Sequence, residues 1–124
     1  MKETKKFSCS NEGMVAAQAF LESVCDEPKP AIIMDEIVSN IVRCSGASDF
    51  TVDFSRTPEA ITMVFTDDGR AFDPINEVAE PDVTASVEDR GIGGLGIFMV
   101  KKMSKSVEYA RRDGKNVLTV VLPG

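Results

Sequence analysis

Residues 50–74, FTVDFSRTPEAITMVFTDDGRAFDP, decide the fold. Phe50, Val52 and Phe54 alternate with Thr51, Asp53 and Ser55, the period of a strand with one buried face. Thr57-Pro58-Glu59 has turn chemistry. Ile61, Met63 and Phe65 then alternate with Thr62, Val64 and Thr66, which gives a second strand. Strands joined by so short a turn run antiparallel. The alternation stops at Asp67, and DDGRAFDP leaves the strand end with carboxylates and a glycine.

Upstream, residues 4–9 suit a short first strand. Asn11 is the expected N-cap of a helix over about 12–26, with Met14, Ala17, Leu21 and Val24 on one face. Pro28 and Pro30 suit the start of a second helix that runs to about Cys44 and ends at Ser45-Gly46. Its apolar stripe is Ile33, Ile37, Ile41 and Cys44. Downstream, the chain from Asp67 to about Gly93 is acidic and rich in Gly and Pro, and a loop that long in a compact domain is usually functional or disordered. A third helix is expected over about Gly94–Met103 and a strand through Val107 and Tyr109. Asp113-Gly114 is a two-residue hairpin signal. The last strand, Val117–Leu122, is apolar on both faces and belongs in the sheet interior. Strands grouped in hairpins predict an α+β two-layer sandwich, with three helices on one face of a mixed sheet. The 124 residues suit one domain, 1–124.

The chain has no histidine, which excludes a Ser-His-Asp triad, a histidine zinc site and phosphorylation on its own histidine. Cys9, Cys25 and Cys44 form no CxxC pair, so a reducing compartment is expected. No apolar run approaches a membrane span, and MKETKKFSCSNE carries no apolar signal region. Net charge is −6, spread as +2 over residues 1–9, −13 over 10–89 and +5 over 90–124. The acidic middle argues against nonspecific binding to nucleic acid or a membrane surface.

Three constellations bear on chemistry. Glu36 and Asn40 are one turn apart on the second helix, at the edge of its buried stripe. They read as a surface pair, or as a carboxylate and a hard oxygen ligand beside a magnesium–phosphate group. Asp67 and Gly69 at the strand end read as an ordinary turn, or as an acceptor for the adenine amine with room for close approach. Gly91-Ile92-Gly93-Gly94-Leu95-Gly96 before a helix reads as a flexible cap, or as backbone N–H groups converging on phosphate. The string fits G-x-G-x-x-G, but no strand precedes it and too little chain follows for a dinucleotide fold. A Walker A loop and a protein-kinase catalytic loop are both missing.

In this order and spacing, AIIMDEIVSNIVR (31–43), DDGRAFDP (67–74) and RGIGGLGIFMVKKM (90–103) resemble the N, G1 and G2 boxes of the GHKL, or histidine kinase-like, ATPases. More narrowly they look like the anti-sigma factor serine/threonine kinases of the SpoIIAB and RsbW branch. The resemblance runs from about Phe7 to Leu122. It implies ATP binding, with ADP after turnover, and Mg2+. It implies Glu36 as general base, Asn40 as magnesium ligand and Asp67 as adenine reader, with Gly69 and Phe72 beside it. Gly91, Gly93, Gly94, Leu95 and Gly96 would wrap the phosphates, Arg90 would sense the γ-phosphate, and Thr119 would join the adenine contact. Residues 75–93 would form a lid. Cys44 stands where relatives often carry histidine, and Ala71 where they often carry a further glycine. The implied partners are a STAS-domain anti-sigma factor antagonist, a sigma factor and a PP2C-type phosphatase, in the cytoplasm, with a homodimer among the expected states. The reading from a different class is an ATP-dependent protein-binding switch that phosphorylates nothing.

Overall fold

The computed structural model describes residues 1–74 and 92–123, with side chains in the second span described from residue 97. The element order is β1 (Lys2–Ser8), α1 (Asn11–Val24), α2 (Pro28–Cys44), β2 (Asp49–Arg56), β3 (Ala60–Asp67), α3 (Ile92–Met103), β4 (Ser106–Arg112) and β5 (Lys115–Pro123). The five strands form one sheet in the order β1-β2-β3-β5-β4.

Every neighbouring pair is antiparallel, so the expected mixed sheet is corrected to an antiparallel one. Two features cause this. β1 and β2 are linked by two helices, and an even number of helices returns the chain running the opposite way. β3 and β4 flank a stretch that includes α3 and run the same way, but β5 is inserted between them. The expected interior place of the last strand is thus what removes the parallel pair.

Burial alternates along the strands, and one face packs against the helices. Phe50, Val52 and Phe54 of β2, Ile61, Met63 and Phe65 of β3, and Leu118, Val120 and Leu122 of β5 point into the core. Leu21 of α1, Ile33, Ile37 and Ile41 of α2, and Ile97 and Val100 of α3 meet them there. Each such fully buried side chain contributes about 1.5–3 kcal/mol relative to exposure. α2 lies in the middle and packs on both α1 and α3. No helix among the described residues is long and apolar enough to cross a membrane.

The N-cap of α1 is Ser10 rather than Asn11. Ser10 has extended backbone (φ −157, ψ 171), and its hydroxyl accepts from the Gly13 N–H at 3.0 Å. Asn11 already lies inside the first turn. α2 begins at Pro28 and ends at Cys44 as expected, with Ser45 as C-cap and Gly46 at φ +70. At the β4–β5 hairpin both Asp113 (φ 52) and Gly114 (φ 76) have positive φ, the geometry that favours Asp-Gly in a two-residue turn.

Candidate nucleotide site

The site is built where the end of β3, the start of β5 and the C-terminal half of α2 meet. Asp67 is the last residue of β3 and is 5% exposed. Strand alternation turns it toward the helices, together with Phe65 and Met63. The chain after it is tied to the end of α2. Arg70 N donates to Ser45 O at 2.8 Å, and its Nε donates to Cys44 O at 2.9 Å. A cation at that point also meets the negative end of the helix dipole. Gly69 is required by the same approach. A Cβ there would lie 2.3 Å from the Ser45 carbonyl oxygen, so the glycine serves contact between chain segments whatever it does for a ligand.

Asp67 Oδ1 accepts from the Gly69 N–H at 2.9 Å and from Asn116 Nδ2 at 3.0 Å. Both side-chain hydrogen bonds it takes from described residues end on that one oxygen. Phe72 is buried, its N–H donates to Asn116 Oδ1 at 3.2 Å, and the Arg70 guanidinium lies 5.1 Å over its ring. Asp67, Phe72 and Asn116 share a cavity with Ile37 and Ile41 of α2 and with Phe65 and Leu118. Its volume is about 10 Å³, room for roughly one water, so a purine enters only if the walls part.

On α2, Asn40 is 3% exposed and Glu36 is half-buried. Asn40 Nδ2 donates to Glu36 Oε1 at 3.2 Å, and Asn40 Oδ1 accepts from Arg43 Nη2 at 3.2 Å. Burial pushes the Glu36 carboxyl above its ordinary value. The Asn40 hydrogen bond and the Arg43 charge pull it down, while Asp35 adds to the rise. Glu36 borders a groove of about 330 Å³, with Ile32 and Asp35 of α2 and Met99 of α3. From Cys44, where the β3 loop is tied, back to Glu36 is eight residues, or about 12 Å of helix. Ile37 and Ile41, the neighbours of Glu36 and Asn40 along the same helix, line the base cavity, so the pair flanks that cavity on one rigid element.

The acidic end of the sheet is felt nearby. The Cys9 thiol is pushed up to about 11 by burial and by Asp67, Asp49 and Asp68.

The structure therefore brings Asp67, Gly69 and Phe72 together at and after the end of β3, and pairs Glu36 with Asn40 on α2. Gly93, Gly94, Leu95 and Gly96 fall in the first turns of α3, which begins at Ile92 rather than near Gly94. Arg90 and Gly91, with residues 75–91 of the expected 75–93 lid, lie outside the described residues, while 92 and 93 belong to α3. Thr119 is the correction. It pairs with Val64 and Glu108, in alternation with the buried Leu118 and Val120, and so faces away from the helices and from Asp67. The polar side chain that reaches Asp67 from β5 is Asn116, three residues earlier and on the other face. The sequence held a signal for it: stepping back by two from Leu122, Val120 and Leu118 lands on 116, a polar residue on an otherwise apolar face.

A family profile described as the histidine kinase-like ATPase domain matches residues 13–122. The chain belongs to that family. Serine/threonine-protein kinase BtrW of Bordetella bronchiseptica is 26% identical over 87 residues, which cover 70% of this chain and 61% of that protein. This chain thus spans less than two thirds of that relative's length. Among solved structures, the Acinetobacter baumannii histidine kinase AdeS matches with a TM-score of 0.59 at 12% identity, over 98% of this chain and 67% of that one. The mycobacterial sensor histidine kinase MprB matches with a TM-score of 0.51 at 16% identity, over 97% and 98%. These two show a shared fold.

Proposed function

We propose that this chain is an ATP-dependent protein serine/threonine kinase that also acts as an anti-sigma factor. The observation that carries the reading is the Glu36–Asn40 pair: a half-buried carboxylate, raised toward the range of a general base, bonded to a buried amide one turn away. The similarity to a protein named as a serine/threonine kinase supports the same choice.

Asp67 offers an acceptor-only carboxylate to the adenine amine and opposes the guanine carbonyl. Glu36 accepts the proton of a serine or threonine hydroxyl that reaches it through the groove beside Met99. As that proton leaves, the alcohol oxygen bonds to the γ-phosphorus and the bond to the β–γ bridging oxygen breaks, releasing ADP. Asn40 fits a magnesium ion. Its Oδ1 is a hard oxygen that would take the ion in place of the Arg43 hydrogen bond, and an ion held by one side chain plus phosphates needs no larger protein cage. When bound, magnesium supplies neutralisation of charge on the phosphate oxygens.

The substrate we assign is a STAS-domain anti-sigma factor antagonist, and the second partner is a sigma factor held until the antagonist displaces it. A PP2C-type phosphatase would reverse the phosphorylation, and the setting would be the cytoplasm. The sequence resemblance supports these assignments. Incubation with labelled ATP, magnesium and a candidate STAS-domain protein tests them. Label on a serine or threonine of that protein is the expected result. A nucleotide-dependent complex without transfer would favour the binding-switch reading.

A further inference from the structure

We propose that Asn116 is a positioning residue that fixes the Asp67 carboxylate and thereby sets the preference for adenine over guanine nucleotides. The proposal rests on the ATP reading above. Asn116 is 4% exposed on a face of β5 that is otherwise apolar, and a buried amide is costly there unless fully bonded. It is fully bonded. Nδ2 donates to Asp67 Oδ1 at 3.0 Å and to Arg70 O at 2.7 Å. Oδ1 accepts from Phe72 N at 3.2 Å, Arg111 Nη1 at 3.1 Å and the Tyr109 hydroxyl. The network fixes the amide's orientation, because flipping it would set donors against donors and acceptors against acceptors.

Two consequences follow. First, Gly69 N and Asn116 Nδ2 both engage Oδ1, so reading of the base falls to Oδ2. Without Asn116 the carboxylate can rotate, and neither oxygen has a fixed direction. Second, the same amide bonds three successive parts of the loop, at Asp67, Arg70 and Phe72. Arg111 reinforces this by donating to Gly69 O at 2.8 Å. Asn116 therefore holds the base-facing loop against β4 and β5. The titratable or charged groups facing it are Asp67 on β3 and Tyr109 and Arg111 on β4.

The test is calorimetry of ATP and GTP, each with magnesium, on the full chain as wild type, Asn116→Leu and Asn116→Asp at pH 5.5 and 8.5. Wild type is expected to prefer ATP at both values. Asn116→Leu keeps the branched heavy-atom skeleton, though it is somewhat bulkier, and removes every side-chain hydrogen bond. It should lose about tenfold or more in ATP affinity, the scale of one hydrogen bond to a charged group, and less for GTP, so the ratio falls. Asn116→Asp keeps the acceptor edge and aims an oxygen at Asp67. Its ATP preference should recover at pH 5.5, where the introduced carboxyl can donate a proton, and fall at pH 8.5. A merely structural role would lower both nucleotides together and leave the ratio flat with pH. A wild-type ratio in Asn116→Leu, or in Asn116→Asp at both pH values should the leucine variant not fold, overturns the proposal. If wild type binds ATP and GTP equally, or neither, the ATP reading itself fails and this inference with it.

Discussion

The role proposed for Glu36 conflicts with its surroundings. Burial raises its carboxyl, so the folded chain holds that proton more tightly than the unfolded one. The stability this contributes is complete below the unfolded value and is lost as pH rises through the raised folded value. At neutral pH the charged carboxylate therefore costs stability. Glu36→Gln should melt at or above wild type at pH 7, with the difference shrinking toward pH 4; a variant that melts lower at pH 7 would contradict the cause given. The same variant removes the proposed base. Phosphotransfer to the partner should fall by about 10²–10⁴-fold while ATP affinity changes little, as read by paired kinetics and calorimetry. Wild-type rate in the variant would remove Glu36 from the mechanism. At this scale the positions of Glu36, Asn40 and Asp67, on a helix flank and at a strand end, were legible because each is a polar residue at a fixed step from an apolar pattern, whereas their proposed roles come from the family resemblance. Asn116 was equally exposed to that logic. Thr119 was chosen from family likeness instead, and strand alternation places it on the wrong face.

Elements are held together at the site by contacts that local periodicity does not reveal. The end of α2 and the loop after β3 meet at Ser45 and Gly69, and nothing in either segment alone states that they touch. Gly69→Ala would drive a Cβ into the Ser45 backbone. It should cost about 1–3 kcal/mol in a denaturation experiment and weaken ATP binding as well. Wild-type stability would show that the two segments can part without loss. Thr119→Val, on the uncovered sheet face, should leave ATP affinity within about twofold, and a tenfold loss by calorimetry would return Thr119 to the site. The hairpins and helices were legible because each follows from steps of two or of three and four along the chain. The interior place of β5 was legible from its two apolar faces, but its neighbour β3 was not, because that pairing is decided by packing between distant segments.

For the whole molecule, an antiparallel sheet, a central helix bearing Glu36 and Asn40, and a strand-end carboxylate make up a domain of the histidine kinase-like ATPase family. The fold supports several chemistries, so the function is argued from the site. The proposed nucleotide preference turns on Asp67 reading adenine, and calorimetry of ATP and GTP on wild type and Asp67→Ala measures it. Wild type should bind ATP in clear preference to GTP, and Asp67→Ala should lose most of the ATP affinity while keeping a cooperative melt. Equal binding of the two nucleotides by wild type, or undiminished ATP binding by Asp67→Ala, would contradict it.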